Sequence, residues 1–66
     1  MSETILAPRM RQCLSLAKSG KTSPEIAAEL RISRRTVDQY FQMSFDRLGA
    51  RNRAHAVAEA MRLGEI

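Results

Sequence analysis

Apolar residues recur at helical spacing in several stretches of this chain, and each stretch ends at a residue that favours turns. A first helix is predicted over about 8–19, with Pro8 in its first turn and Gly20 as a left-handed cap. Its apolar positions follow the helical period: Met10, Cys13, Leu14 and Ala17. No strand-like alternation of useful length is present, so the pattern predicts an all-α fold.

Two further helices are predicted on either side of a short turn. Thr22 and Glu25 form a T-x-x-E capping box, which places the start of the second helix at Thr22. The turn is Arg31–Ile32, and Ser33 caps a third helix over 34–48. The core face of the second helix is predicted to be Ile26, Ala27 and Leu30. One mostly apolar stripe follows the third helix: Val37, Tyr40, Phe41, Ser44 and Leu48.

The fourth predicted helix, capped by Asn52 and ended by Gly64, carries two apolar stripes. The first stripe is Ala54, Val57, Ala58 and Met61, and the second is Ala56, Ala60 and Leu63. A surface helix of a monomer normally needs one apolar face, so the extra small-residue face predicts that something docks there. The alternative is that alanine occupies an exposed face because it favours helix.

Size and charge narrow the class of protein. The chain has 66 residues, of which 44% are hydrophobic and 27% charged, as expected for one small globular domain. Its net charge is +4, and nine of its eleven basic residues are arginine. This excess of positive charge predicts an anionic partner, either a nucleic acid or a membrane surface. Membrane binding is disfavoured because no predicted helix opposes a broad apolar face with basic residues, and no apolar run is long enough to span a bilayer.

Catalysis, a metal site and a cofactor are not indicated. Cys13 and His55 lie on different predicted helices with no supporting motif, and a lone cysteine on an apolar stripe is expected to be a core residue. A single cysteine also precludes an internal disulfide, which fits a reducing compartment. The opening MSETILAP lacks the features of a signal peptide, so a cytoplasmic location is expected.

The stretch Thr22–Leu48 contains a short helix, a turn and a longer helix that opens with Arg34 and Arg35. That order is the layout of a helix-turn-helix DNA reader. Helix N-termini offer free N–H groups that suit phosphate, so Ser33, Arg35 and Thr36 are predicted to contact the DNA backbone. Flanking backbone contacts are predicted from a further set around this stretch: Lys21, Thr22, Arg47, Arg51 and Arg53.

Short motifs with consistent spacing run along the chain from Leu6 to Ile66. They are L-x-P-R at 6–9, E-I-A-x-x-L at 25–30, I-S-x-R-T-V at 32–37, R-L-G at 47–49, N-R-x-x-A-V at 52–57 and R-L-G-x-I at 62–66. Together they resemble the C-terminal DNA-binding domain of the LuxR family of transcription regulators, the GerE or NarL type. The resemblance implies a four-helix domain over 6–66, preceded by a flexible arm at 1–5.

The resemblance also implies roles for individual residues. In the family the third helix enters the major groove, and the positions that reach base edges correspond to Asp38, Gln39 and Gln42, to which we add Arg34. Glutamine suits adenine and aspartate suits cytosine, although Asp38 alternatively only complements the helix N-terminus. The family's fourth helix commonly mediates dimerisation, which would give the second apolar face of 54–63 a function. The dimerisation candidates are Ala54, His55, Ala58, Met61 and Arg62.

The sequence therefore predicts sequence-specific binding of double-stranded DNA by a transcriptional regulator, as a homodimer on a two-fold site. The chain departs from the family mainly at Tyr40–Phe45, where members often have histidine in place of Tyr40 and asparagine in place of Met43. Two alternatives stay open: a domain like region 4 of sigma factors, and an anti-activator that pairs with a full-length regulator. Most members carry an N-terminal sensory domain that this chain lacks, so a single-domain protein and a fragment both remain compatible with the sequence.

Overall fold

The computed structural model describes residues 5–66, which form four α-helices and no strand. The helices are α1 (Pro8–Lys18), α2 (Ser23–Leu30), α3 (Arg34–Leu48) and α4 (Arg53–Arg62). This confirms the predicted all-α architecture, with α1 ending one residue earlier than expected. Residues 1–4 of the predicted N-terminal arm lie outside the described part of the chain.

A small aliphatic core lies beneath α3, which packs against α1, α2 and α4. Phe41 is its one buried aromatic residue, and Cys13 is fully buried within it, as expected for a core cysteine. The buried apolar set is Leu6, Met10, Cys13, Leu14, Ile26, Ala27, Val37, Phe41, Ala56 and Ala60. Each large side chain in such a set contributes about 1.5–3 kcal/mol through removal from water.

Polar side chains define where three of the helices begin. The predicted capping box is present: Glu25 N–H donates to Thr22 Oγ1 over 3.3 Å, and Thr22 N–H donates to Glu25 Oε1 over 2.8 Å. Ser33 caps α3 by accepting from the backbone N–H of Thr36, and Asn52 caps α4 by accepting from that of His55. These hydrogen bonds satisfy backbone donors that have no partner within the helix.

The turn between α2 and α3 depends on a left-handed residue that is not glycine. Arg31 has φ 57° and ends α2. The N–H of Ile32 then donates to Ala27 O over 3.0 Å, which closes the end of the helix. Ile32, the second residue of the predicted turn, is half-buried against the core.

Ser44 is fully buried on the apolar stripe of α3, between the two aromatic positions Phe41 and Phe45. Its Oγ donates to the carbonyl oxygen of Tyr40, one turn earlier, over 2.7 Å. Because a buried hydroxyl is costly only when it lacks a partner, this hydrogen bond makes serine acceptable in the core.

The two stripes of α4 differ in the burial of their alanines. Ala56 and Ala60, from the second stripe, are fully buried, whereas Ala54, Ala58 and Met61, from the first, are exposed. The expectation that the second, small-residue face is the one left free is therefore wrong. Alanine at 56 and 60 lets α4 approach the other helices closely. Hydrophobicity alone cannot distinguish a face of small residues that packs in the core from one that docks a partner.

Prediction: acidification should remove the stability that the ionised carboxylate of Glu25 adds to the capping box. The hydrogen bond from the Thr22 backbone N–H, with a further contribution from the Thr22 side chain, lowers the pKa of Glu25 below its ordinary value of 4.5. A carboxylate with a lowered folded-state pKa stabilises the fold above its unfolded pKa and loses that effect as pH falls through the folded pKa.

Thermal unfolding of the wild type and of E25Q, measured between pH 7 and pH 2.5, checks this. The difference in Tm between the two proteins should be constant above about pH 5 and should shrink below about pH 4.5. A difference that is independent of pH over the whole range would contradict the prediction.

Candidate nucleic-acid interface

One face of α3 is turned to solvent because the opposite face is held in the core. Val37, Phe41 and Ser44 are buried, and a helix of about 3.6 residues per turn then directs the remaining positions outward. The exposed residues of α3 are Arg34, Arg35, Asp38, Gln39, Gln42, Met43, Asp46 and Arg47. All four base-contact candidates lie in this set, and Gln39 and Gln42 are neighbours on it at a spacing of three.

The N-terminus of α3 is built as an anion-binding end. Ser33 Oγ accepts from the Thr36 N–H over 3.0 Å and lies 2.8 Å from Thr36 Oγ1, so these two hydroxyls are already linked. The N–H groups of Arg34 and Arg35 come before the first intrahelical hydrogen bond and point out of the helix end. Together with two arginine side chains and the helix dipole, they favour a phosphate at this position.

Asp38 brings a negative charge to the exposed face, and the structure gives it a partner. Its Oδ2 lies 4.0 Å from Arg34 Nε, an ion pair between two well-exposed side chains. Exposed pairs of this kind contribute at most about 0.5 kcal/mol on a helix, so both side chains can rearrange at little cost when a ligand arrives. Asp38 and Arg34 therefore form one polar unit at the start of the exposed face.

Arg53 has a position that the sequence did not suggest. Its guanidinium carbon lies 4.0 Å from the centroid of the Phe41 ring, and its Nη2 donates to Ser23 Oγ. The residue is half-buried, and it joins the start of α4 to both α2 and α3. Arg53 therefore takes part in the packing of the motif, and its hydrogen bond to Ser23 engages one of its several N–H donors.

The other predicted backbone-contact residues are distributed around α2 and α3. Lys21 and Thr22 are exposed directly before α2, and Arg51 is exposed before α4. Arg47 is exposed at the end of α3, where its Nη1 donates to the carbonyl oxygen of Ile5 over 3.1 Å. This hydrogen bond holds the chain at Ile5, the last residue of the predicted arm, against the helix.

The dimerisation candidates form a separate face on α4. Ala54, His55, Ala58, Met61 and Arg62 are all exposed, and Met61 is 50% exposed. Arg62 pairs with Glu59 one turn earlier, with Nε and Oε2 at 2.7 Å. The hydrogen bond from Arg62 lowers the pKa of the Glu59 carboxyl.

Other kinds of site find little support in the described residues. Within 5–66, no group of three or more His, Cys, Asp and Glu residues could hold a metal ion. Burial raises the pKa of the Cys13 thiol, against smaller opposing effects of Arg9 and Arg53, so this cysteine is a poor nucleophile. None of the four helices in the described range is long and apolar enough to cross a bilayer.

Comparison with known proteins decides the family. The family model described as "Bacterial regulatory proteins, luxR family" matches residues 4–60. The chain belongs to the LuxR family of bacterial regulatory proteins. This confirms the resemblance drawn from the motifs, and DNA binding and transcription regulation are the functions of this family.

Similar LuxR-family proteins differ in how much of their length this chain covers. The spore germination protein GerE of Bacillus subtilis (strain 168) is 38% identical over 65 residues, which are 98% of this chain and 88% of GerE. The quorum sensing-dependent transcriptional regulator VjbR of Brucella abortus (strain 2308) is 46% identical over 63 residues, 96% of this chain but 24% of VjbR. A solved structure of GerE superposes with a TM-score of 0.91 at 30% identity, covering 96% of this chain and 94% of that one.

Prediction: Arg53 should matter for stability in a way that a nearby exposed arginine does not. R53A removes the contact with the Phe41 ring and the hydrogen bond to Ser23, which should lower the free energy of unfolding by about 1–2 kcal/mol. The matched control is R51A, which removes the same charge from an exposed position and should change that free energy by less than about 0.5 kcal/mol.

Urea unfolding followed by far-ultraviolet circular dichroism measures both values. Equal destabilisation by the two variants would refute the assignment of Arg53 to the packing of the motif.

Proposed function

We propose that this domain binds double-stranded DNA in a sequence-specific manner and regulates transcription, with α3 in the major groove. The supporting observation is the polar, solvent-facing surface of α3, which the core fixes opposite the buried stripe of Val37 and Phe41. With 15 residues, α3 is about 22 Å long, and a major groove about 12 Å wide accommodates an α-helix. Because the partner is chromosomal DNA, the proposed location is the cytoplasm.

Base readout is assigned to four side chains on this surface: Arg34, Asp38, Gln39 and Gln42. Gln39 and Gln42 suit adenine, where an amide can donate and accept at once. Arg34 suits guanine, and Asp38 suits the amino group of cytosine. The ion pair between Arg34 and Asp38 sets them side by side, which favours readout of a G·C pair by this end of α3.

Backbone contacts position the helix and are assigned to the surrounding polar groups. The set is Lys21, Thr22, Ser33, Arg35, Thr36, Arg47, Arg51 and Arg53. Within it, Arg35 has the most direct assignment, since it combines an exposed side chain with an outward-pointing N–H at the helix end. Arg53 also connects the start of α4 to Ser23 and to the ring of Phe41.

Prediction: R35A should weaken binding to all DNA sequences and reduce the dependence of binding on salt. Loss of one phosphate contact should change the slope of log K against log salt by about 0.9. The matched control is R9A, which removes an exposed arginine from α1, outside the helix-turn-helix; it should leave that slope nearly unchanged. Fluorescence anisotropy on one duplex at several salt concentrations measures the slopes.

Equal slopes of log K against log salt for the wild type and R35A would show that Arg35 does not contact a phosphate. If the wild type binds no duplex but still associates with a full-length LuxR-family regulator, the anti-activator is the better account.

Pairing of two copies through α4 is part of the proposal. Ala54 and Ala58 are small enough to let two helices approach closely, and Met61 adds flexible apolar surface beside them. Two reading helices related by a two-fold axis would then bind a two-fold symmetric site. A sensory domain or a full-length regulator is a further proposed partner, because this chain covers only 24% of the length of VjbR.

Prediction: sedimentation velocity should find two protein copies on a duplex with a two-fold symmetric site and one copy on a single half-site. M61E, which places a charge on the exposed face of α4, should reduce the complex on the full site to one copy at the same protein concentration. The control Q12E places the same charge on an exposed position of α1 and should keep two copies. Two copies bound by M61E would exclude this face of α4 as the contact.

A further inference from the structure

Met43 is the one apolar residue among the exposed positions of α3, and 43% of it is accessible to solvent. The other exposed residues of this helix are all charged or amide side chains: Arg34, Arg35, Asp38, Gln39, Gln42, Asp46 and Arg47. Single exposed apolar residues are common on protein surfaces and need no explanation by themselves. What distinguishes Met43 is its place on the face assigned to base readout.

Met43 is a neighbour of Gln39 on this face. It follows Gln39 by four positions and directly follows Gln42. Side chains four apart on a helix have Cβ atoms about 5–6 Å apart, and their Cα atoms are about 6 Å apart along the axis. Base pairs repeat every 3.4 Å or so along the duplex, so a side chain at this spacing reaches about one or two base pairs beyond the base read by Gln39.

The chemistry of methionine selects one feature of the groove. A thioether has no N–H or O–H to donate and accepts hydrogen bonds only weakly, so Met43 is poorly suited to the polar edges of bases. The 5-methyl group of thymine is the apolar feature that ordinary DNA presents in the major groove. An unbranched, polarisable side chain adapts well to a small apolar partner of this kind.

We propose that Met43 is a specificity-determining residue that contacts a pyrimidine 5-methyl group, one or two base pairs from the adenine assigned to Gln39. This rests on the proposed function of α3 as the reading helix. In ordinary DNA the methyl group belongs to thymine, and in methylated DNA 5-methylcytosine presents the same group.

The test replaces single methyl groups in the DNA. Binding-site selection with the wild-type domain first supplies a duplex, and each thymine of that duplex is then replaced in turn by deoxyuridine, which lacks only the methyl group. At one position within two base pairs of a selected adenine, the affinity of the wild type should fall about three- to fourfold, the effect expected for one buried methyl group.

Variants at position 43 then connect that methyl group to Met43. M43A should bind the thymine and deoxyuridine duplexes equally, whereas M43L, which keeps an apolar side chain of similar size, should retain most of the discrimination. The control Q12A, an exposed position on α1, should discriminate as the wild type does. Circular dichroism melting curves establish that M43A is folded, which is expected because Met43 is exposed.

Each outcome is decisive for the proposal. Discrimination that persists unchanged in M43A, or a wild type insensitive to every thymine replacement and to 5-methylcytosine, would overturn the role of Met43 while leaving DNA binding intact. If the affinity of the wild type rises when 5-methylcytosine replaces cytosine but is unaffected by every thymine replacement, the methyl contact is supported and belongs to methylated DNA. A wild type that selects no sequence would overturn this inference together with the proposed function.

Discussion

Burial of one stripe of α3 is the constraint on which the rest of the structure depends. Val37, Phe41 and Ser44 fix this stripe in a core to which α1, α2 and α4 all contribute contacts. Since side-chain directions along a helix repeat with a fixed period, holding one stripe determines where every other side chain of α3 points. The polar face that suits the DNA groove is therefore a direct consequence of the packing beneath it.

Such a small core leaves little surplus stability, and local polar interactions supply part of it. Thr22, Ser33 and Asn52 each cap a helix, so the beginnings of α2, α3 and α4 are set by hydrogen bonds close in sequence. Arg53 adds a connection of longer range by lying over the Phe41 ring and donating to Ser23. Arginine, a residue type that favours phosphate, thus also serves at position 53 to orient α3, the helix proposed to approach the DNA.

Features determined by neighbours in sequence could be predicted, whereas two features determined by packing could not. The capping box at Thr22 and Glu25 and the bounds of α3 follow from local rules, and both are confirmed. Which apolar stripe of α4 is buried depends on how closely that helix approaches the others, so hydrophobicity left Ala56 and Ala58 equivalent. Arg53 is a similar case. The sequence predicts a surface cation at this position beside a helix cap, whereas in the structure its guanidinium lies over the ring of Phe41. The assignment of bases to Asp38, Gln39 and Gln42 depends on a partner outside the chain and stays a prediction.

The exposed face of α3 is the surface that we propose contacts DNA. A titration of the ¹⁵N-labelled domain with a selected duplex, followed by amide chemical shifts, tests it most directly. The largest shifts are expected on residues 34–43 and at Thr22, with small shifts along the exposed side of α1. The largest shifts along α1, with α3 unchanged at saturating DNA, would contradict it.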